Sequence, residues 1–154
     1  METLTDSEVV VLRLGATRYC LAMAHVAEVA RPPGLTRVPG LPAWLAGVAN
    51  WRGRVLAVLD LRPLLGEVAA DPGRRSRLIV LRRGEVAVGL LTEGVDGTRQ
   101  VAADDVEPSL SHLSASAAEL LLGQITDLDG PYGVLDVDAV FRLRDGLPRA
   151  RRPS

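Results

Sequence analysis

The amino-acid sequence predicts an all-β domain with short helical turns and one short C-terminal helix. About nine or ten short apolar runs are separated by turn signals roughly every 8–12 residues, a pattern typical of β-sandwiches and β-barrels. Four pairs of these runs flank short turns or loops and predict hairpins. The 154 residues suit one domain, and 47% hydrophobic residues suffice for a core of Val, Leu and Ala, since aromatic residues make up only 3%.

The N-terminal part of the chain predicts a first hairpin. Residues 9–14 and 19–23 are its two strands, and residues 1–8 are expected to form a flexible terminus. Residues 25–30 are interpreted as a helical turn that passes into a strand. The Pro-Pro-Gly sequence at residues 32–34 ends that strand.

The central hairpin is the clearest element. The apolar runs at residues 46–51 and 55–59 flank a polar turn at Arg52 and Gly53, and residues 42–46 are expected to form one helical turn before it. Arg52 is the single charge inside this apolar block. Its side chain is therefore expected to reach solvent or a partner.

Beyond this hairpin, residues 61–65 predict another helical turn. The polar loop at residues 67–76 is the best candidate for an internal boundary. Residues 78–81 and 86–91 predict a second hairpin. Gly89 lies within its second strand and suggests a close backbone approach or a bulge.

The C-terminal third continues with an extended segment at residues 93–101 and a Ser/Ala-rich surface segment at residues 109–118. Residues 120–128 and 132–135 predict a third hairpin. No internal repeat is evident along the chain.

The last predicted element is a helix at residues 136–143, capped by Asp136 or Asp138. One face of this helix carries Ala139, Val140 and Leu143. Residues 144–154 form a basic tail that is expected to be flexible. The single folded domain is therefore expected to span residues 9–143.

Composition argues against several classes of function. The chain has 18 basic and 19 acidic residues and a net charge of −1, so charge gives no support for nucleic-acid binding. A single cysteine, Cys20, excludes an internal disulfide and fits a reducing compartment. No apolar run approaches the about 18 residues of a membrane span, and the polar start is not a signal peptide. The expectation is a cytoplasmic protein that does not insert into a membrane.

Groups suited to catalysis are sparse. The two histidines, His25 and His112, and Cys20 have no zinc-ligand spacing, and the sequence has no nucleophile elbow, P-loop or dinucleotide fingerprint. The acidic pair Asp104 and Asp105 is interpreted as solvated loop charge in preference to a metal site. The sequence therefore predicts a non-enzyme without metal or cofactor.

A binding protein needs placed charges and apolar anchors. Arg52 is the first candidate, because a guanidinium on a rigid hairpin loses little entropy when it binds a carboxylate. Glu28 is the second, and Val26 shares its face of an extended segment. Trp44 and Trp51 favour core packing over a role as interface anchors.

Three motifs in order resemble the CheW-like family of chemotaxis coupling proteins. The main one is P-x-x-L-x-G-V-x-N-x-R-G-x-V-x-x-V-x-D-L-R at residues 42–62. It is preceded by L-R-L-G-A-T-R-Y-C-L-A-M-A-H-V-A-E-V at residues 12–29 and followed by A-V-G-L-L-T-E-G-V at residues 87–95. The resemblance covers residues 9–143.

This resemblance implies two SH3-like five-stranded β-barrels packed side by side around a shared apolar core. It also implies a non-catalytic adaptor that binds the cytoplasmic tip of chemoreceptors and the regulatory domain of a CheA-type histidine kinase, recruited to arrays beneath the membrane. The implied receptor groove contains Val26, Glu28, Arg52, Val95 and Thr98, with an ion pair between Glu28 and Arg52. The implied kinase contact contains Leu35, Val38, Ala43 and Leu45.

The sequence departs from the family pattern at three places. Trp51 stands where leucine is usual, Thr98 replaces a small apolar residue and Glu93 replaces an aspartate. Two other interpretations remain open. One is a CheW-like regulatory module of another chemosensory output, such as pilus motility or another kinase system, and the other is an unrelated SH3-like barrel that binds RNA or DNA.

Overall fold

The computed structural model describes residues 7–68, 72–108, 113–127 and 130–147. Within these ranges the chain forms ten strands and three short helices, so the all-β prediction is confirmed. The strands are β1 (Ser7–Leu14), β2 (Thr17–Ala22), β3 (Val26–Ala30), β4 (Leu45–Trp51), β5 (Arg54–Leu59), β6 (Arg77–Arg83), β7 (Val86–Thr92), β8 (Gly94–Val101), β9 (Leu121–Asp127) and β10 (Gly130–Leu135). The helices are α1 (Arg62–Leu65), α2 (Ala115–Leu120) and α3 (Val137–Asp145).

The strands form two five-stranded sheets, each of which makes one barrel. The central barrel has the order β3-β6-β7-β5-β4, and the terminal barrel has the order β8-β1-β2-β10-β9. All four hairpins, including the predicted central one, pair antiparallel. The two subdomains implied by the resemblance are therefore present.

The two barrels share one topology. Their strand orders coincide if β1 and β2 are counted after β10, and each barrel has one parallel pair, β5 with β7 and β10 with β2. The chain is thus a two-fold repeat of five strands. The central barrel is one continuous segment, β3 to β7, whereas the terminal barrel combines β8, β9 and β10 with the β1–β2 hairpin from the start of the chain.

The core has three parts, which explains the continuous apolar run of β1. Val9 and Val11 point into the terminal barrel, whereas Val10 and Leu12 point into a core shared by both barrels. Residues of a strand alternate between faces, and both faces of β1 are buried. The shared core also takes in α3, and the central barrel has its own interior with Leu56, Val58, Leu78 and Val80.

The predicted internal boundary at residues 67–76 is wrong. This segment joins α1 to β6 inside the central barrel. The chain instead passes between barrels at the short 3₁₀ turn Met23–His25 and at Glu93. These crossings are short and lack the Pro, Gly and charge clusters that mark a linker in a sequence, because both lie next to the shared core.

The Ser/Ala-rich segment is in part a helix and not only surface. Residues 109–112 lie outside the described ranges, but α2 follows them and begins at the cap Ser114, whose hydroxyl accepts a hydrogen bond from Ala117 N at 3.2 Å. Ala117 and Leu120 are buried. The strand predicted from residue 120 therefore begins one residue later.

Three smaller predictions can be compared with the structure. The helical turn expected at residues 42–46 is a single backbone turn, with Leu45 N donating to Pro42 O at 3.0 Å, because β4 already begins at Leu45. The cap of α3 is Asp136, whose carboxylate accepts from Asp138 N at 3.0 Å. The close backbone approach or bulge expected at Gly89 is wrong, because the nearest neighbours of a Cβ there are side chains, with Leu78 Cδ1 at 2.9 Å, and the β6–β7 register is regular.

The folded part is longer at both ends than expected. β1 begins at Ser7, and α3 ends at Asp145, so each end gains two residues over the predicted limits. The remaining residues of the expected flexible terminus, 1–6, and the end of the basic tail, 148–154, lie outside the described ranges.

Candidate functional site

Arg52 lies at the tip of the β4–β5 hairpin in an uncommon backbone conformation. Its φ is 50° and that of Gly53 is 76°, so both central residues of the turn are left-handed, as a type I′ turn requires. A left-handed non-glycine residue costs about 1–2 kcal/mol. The Asn50 side chain holds the turn by accepting a hydrogen bond from Gly53 N at 3.0 Å. This geometry presents the Arg52 side chain to solvent with 66% of it exposed.

Arg52 forms the ion pair with Glu28 that the resemblance implies. Its Nη2 lies 2.9 Å from Glu28 Oε1. The Trp51 indole nitrogen lies 3.4 Å from Glu28 Oε2, and the Arg52 guanidinium stacks 5.0 Å from the centre of the Trp51 ring. β3 and β4 are the two edge strands of the central barrel, so barrel closure brings Glu28 to the hairpin. We call Glu28, Trp51 and Arg52 the edge cluster.

The edge cluster positions charge more than it stabilises the fold. The Glu28 side chain is 34% exposed and that of Arg52 is 66% exposed. Ion pairs with this much solvent contact contribute roughly 0.2–1 kcal/mol. The pair and the ring contact therefore limit the rotamers of Arg52 without making the fold depend on them.

Val26 and Val95 occupy matching positions in the two barrels. Val26 pairs with Leu81 at a bulge between Val26 and Glu28, and Val95 pairs with Leu12 at a bulge between Val95 and Gly97. Both valines are half-buried against the shared core. The structure therefore places these two predicted receptor residues on the edge strands β3 and β8, related by the internal repeat.

An open depression of about 310 Å³ lies between the barrels and joins these two edges. Val95 from β8 and Val29 from β3 line it, and Val29 is 42% exposed. Thr98 lies further along β8, exposed and paired with Val10. Of the predicted receptor residues, Glu28 and Arg52 are thus in direct contact and Val95 opens into the depression, whereas Thr98 lines neither the edge cluster nor the depression.

The four predicted kinase-contact residues lie on the central barrel and have unequal exposure. Leu35 is half-buried against the interior of that barrel, and Leu45 is half-buried in β4 against the shared core. Val38 is 41% exposed, and Ala43 is exposed as well. The surface open to a partner is therefore mainly that of Val38 and Ala43.

A second charged group in the main motif, Arg62, is nearly buried, and its partners could not be predicted from the sequence. The Arg62 side chain is 11% exposed and grips Asp60 with two hydrogen bonds of 2.8 Å and 2.9 Å. It also pairs with Glu93, whose other carboxylate oxygen accepts from Gly15 N in the terminal barrel. The hydrogen bond to Asp60 raises the pKa of Arg62 above its ordinary value. This network connects the D-L-R motif, the E-G-V motif and the first hairpin, so its role is to join the barrels.

The remaining candidate residues are two tryptophans and a cysteine that pack in the hydrophobic cores of the fold. Trp44 is half-buried against the shared core, and Trp51 packs against the central barrel interior. Cys20 is buried in β2, and burial raises the pKa of its thiol to about 12. A thiol with this pKa is protonated at neutral pH and a poor nucleophile.

Two kinds of feature are absent from the described residues. No group of three or more His, Cys, Asp or Glu side chains is placed to hold a metal ion there. Among the helices of the same part of the chain, none has the length and apolar character needed to cross a bilayer.

Known structures and sequences resemble this chain throughout. The crystal structure of the scaffolding protein TtCheW from Thermoanaerobacter tengcongensis superimposes with a TM-score of 0.75 at 22% identity and covers 86% of this chain and 90% of that one. Its likeness confirms the predicted fold of two SH3-like subdomains.

Among sequence relatives, Protein PilI of Pseudomonas aeruginosa is 32% identical over 72% of this chain. The match spans 62% of the length of Protein PilI. Chemotaxis protein CheW of Rhizobium meliloti is 29% identical and covers 87% of this chain and 86% of its own length. The CheW-like domain family matches residues 8–145, nearly the whole chain, and this protein therefore belongs to that family.

Proposed function

We propose that this chain is a non-catalytic adaptor that couples chemoreceptors to a CheA-type histidine kinase in a chemosensory pathway. Family membership over residues 8–145 and the name of the Rhizobium meliloti relative support this role. The edge cluster carries the assignment, because it holds an exposed arginine in a strained turn on the central barrel, whose edge strand β3 also contributes Val29 to the depression between the barrels. Strain retained at a surface position is typical of functional sites.

The adaptor role requires two separate binding surfaces and no catalysed reaction. One is the receptor face, made of Val26, Glu28, Arg52, Val95 and Thr98. The other is the kinase face, where Val38 and Ala43 are exposed and Leu35 and Leu45 are half-buried. The shared core makes the two barrels one packed unit, so both faces keep a fixed relative orientation. A cytoplasmic location, with recruitment to membrane-associated receptor arrays, follows from this role.

The receptor face suits an α-helix laid across the edges of the two barrels. Its apolar side chains would enter the depression beside Val29 and Val95, which is the helix-in-groove mode of recognition. Arg52 would add a charge-assisted hydrogen bond from a side chain already restrained by Glu28 and Trp51. Preorganisation reduces the entropy lost on binding.

A second candidate is a CheW-like module of another chemosensory output, as the similarity to Protein PilI suggests. Its mechanism would be the same and its kinase different. The two candidate functions are distinguished by identifying the CheA-type kinase that co-purifies with this chain from its own cells.

The test is the affinity of the purified chain for two probes from the same organism, a chemoreceptor tip fragment and the kinase regulatory domain. We expect the unmodified chain to bind both. Arg52→Ala should weaken receptor binding about tenfold or more, because it removes a restrained charge from the face, and leave kinase binding unchanged. Its melting temperature should stay close to that of the unmodified chain, since the ion pair is exposed.

Arg54→Ala is the matched control. Arg54 lies in the same turn region and pairs with Glu85 at 3.2 Å, with its side chain 51% exposed. The control should bind both probes normally. Unchanged receptor affinity of Arg52→Ala would remove the edge cluster from the receptor face, and failure of the unmodified chain to bind either probe would overturn the adaptor function.

A further inference from the structure

The depression between the barrels is bordered by arginine side chains, of which Arg75 and Arg77 lie outside the family motifs. Its lining contains Arg13 from β1, Arg75 from the segment before β6 and Arg77 from the start of β6, together with Val29 and Val95. The β6 approach reaches across to the terminal barrel, since a Cβ at Gly94 would lie 3.4 Å from Arg75 O. Positive charge from both barrels therefore lies around the two valines.

Most of this charge lacks an acidic partner within the described part of the chain. Arg13 pairs with Asp96, its Nη2 lying 3.0 Å from the carboxylate. Arg77 donates only to the backbone carbonyls of Arg74 and Ser76. Arg75 is exposed and makes no ion pair with a described carboxylate. Three arginines thus face one aspartate in the lining, which leaves a local excess of two positive charges.

We infer that the helix bound in this depression carries acidic side chains beside its apolar ones, and that Arg75 and Arg77 pair with them. This inference rests on the proposed receptor-binding function and names the chemistry of the partner. The depression admits side chains and not a whole helix, whose diameter is about 10–12 Å. An apolar side chain therefore enters between Val29 and Val95, and a carboxylate about one turn away on the same helix face meets the arginine rim.

The valines and the arginines of the depression contribute to different steps of binding. The two valines supply desolvated apolar contact, whereas the exposed arginines attract an acidic helix over several ångströms and fix its position. Such attraction between exposed charges is screened by salt, with a Debye length of about 10 Å at 0.1 M. Binding of an acidic helix must therefore weaken as salt rises.

The experiment measures the affinity of the full chain for the chemoreceptor tip fragment at about 0.05 M and about 0.5 M NaCl. Arg75→Glu is the test variant, because Arg75 makes no described hydrogen bond whose loss would disturb the fold. Arg142→Glu is the matched control. Arg142 is an arginine of α3 with 67% of its side chain exposed, and it does not line the depression. Melting temperatures establish that both variants are folded.

We expect Arg75→Glu to bind about tenfold or more weakly at low salt and to lose much of the salt dependence, whereas Arg142→Glu keeps the affinity of the unmodified chain. Changing the acidic residues of the receptor fragment to lysine one at a time should identify one change that restores binding to Arg75→Glu. Normal binding and an unchanged salt dependence of Arg75→Glu would overturn the inference, while a loss with Arg52→Ala would still support the proposed function. No binding by the unmodified chain would overturn both.

Discussion

Two arginines ten residues apart in one motif have opposite surroundings. Arg52 has 66% of its side chain exposed and a single acidic partner, whereas Arg62 has 11% exposed and contacts both Asp60 and Glu93. The sequence identifies Arg52 because a charge in a hairpin turn must leave the core. It gives no equivalent signal for Arg62, since Glu93 is distant in sequence and meets it only when β7 returns to the same end of the fold.

We predict that Arg62→Ala destabilises the protein by about 3 kcal/mol, because two nearly buried carboxylates lose their cation. Arg54→Ala removes an exposed pair and should cost no more than about 1 kcal/mol. Urea unfolding of both variants measures the difference. Equal stability of the two variants would mean that the Arg62 network does not hold the barrels together.

A second prediction concerns alkaline pH. Burial raises the pKa of Cys20 to about 12 from an ordinary value of 9.0, and burial together with Glu67 raises that of Tyr19 well above its ordinary value. The folded protein therefore keeps both protons where the unfolded chain loses them. The free energy of unfolding should be highest below about pH 9 and fall as pH rises from there toward 12, by up to about 1.4 kcal/mol per pH unit for each group.

Urea midpoints at pH 8 and at pH 10.5 test this prediction. Cys20→Ala should reduce the pH dependence between these values and leave the part due to Tyr19. A midpoint that does not change over this interval would show that neither group is protonated more tightly in the folded state.

At the scale of elements, the closing of each barrel depends on a glycine that opposes a backbone carbonyl. Thr36 pairs with Val48 to close the central barrel, and Glu107 pairs with Gln124 to close the terminal barrel. Gly47 and Gly123 precede these closing residues of β4 and β9. A Cβ at Gly47 would lie 2.7 Å from Thr36 O, and one at Gly123 would contact Glu107 O.

We predict that Gly47→Val destabilises the protein by at least about 3 kcal/mol, because the new side chain meets backbone that cannot rotate away. Gly34→Val is the control, since nothing lies within 4 Å of a Cβ there. The control should change stability by less than about 0.5 kcal/mol. Thermal unfolding compares them, and a cooperative, unshifted transition of Gly47→Val would contradict the account.

The hairpins were predictable because their signals are local. The turn at Arg52 and Gly53 and the runs beside it specify both strands within a dozen residues. The helix α2 was not predictable in the same way. Its six residues are mostly Ser and Ala, and only burial of Ala117 and Leu120 against the rest of the fold makes it a structural element.

At the scale of the whole molecule, the position of the β1–β2 hairpin in the terminal barrel makes the two barrels interdependent. The terminal barrel is built from both ends of the chain, and its β1 supplies Val10 and Leu12 to the shared core. The structural repeat of the two barrels has no visible counterpart in the sequence. Matching positions such as Val26 and Val95 keep only their apolar character, so pairing and not residue identity reveals the repeat.

The candidate site shows the same division. The ion pair between Glu28 and Arg52 was expected from the family resemblance and is present. The arginine rim at Arg75 and Arg77 was not expected, because Arg75 lies in the polar segment interpreted as a boundary loop and Arg77 follows directly after it. Their position beside Val95 depends on how the central and terminal barrels pack.

The most direct test of the adaptor account is whether one chain binds both partners at once. The purified chain is mixed with the chemoreceptor tip fragment and the kinase regulatory domain, and the mass of the complex is measured by size-exclusion chromatography with light scattering. We predict a complex that contains all three components, from which Arg52→Ala loses mainly the receptor fragment. Displacement of one partner by the other would show a single shared surface and contradict a coupling role.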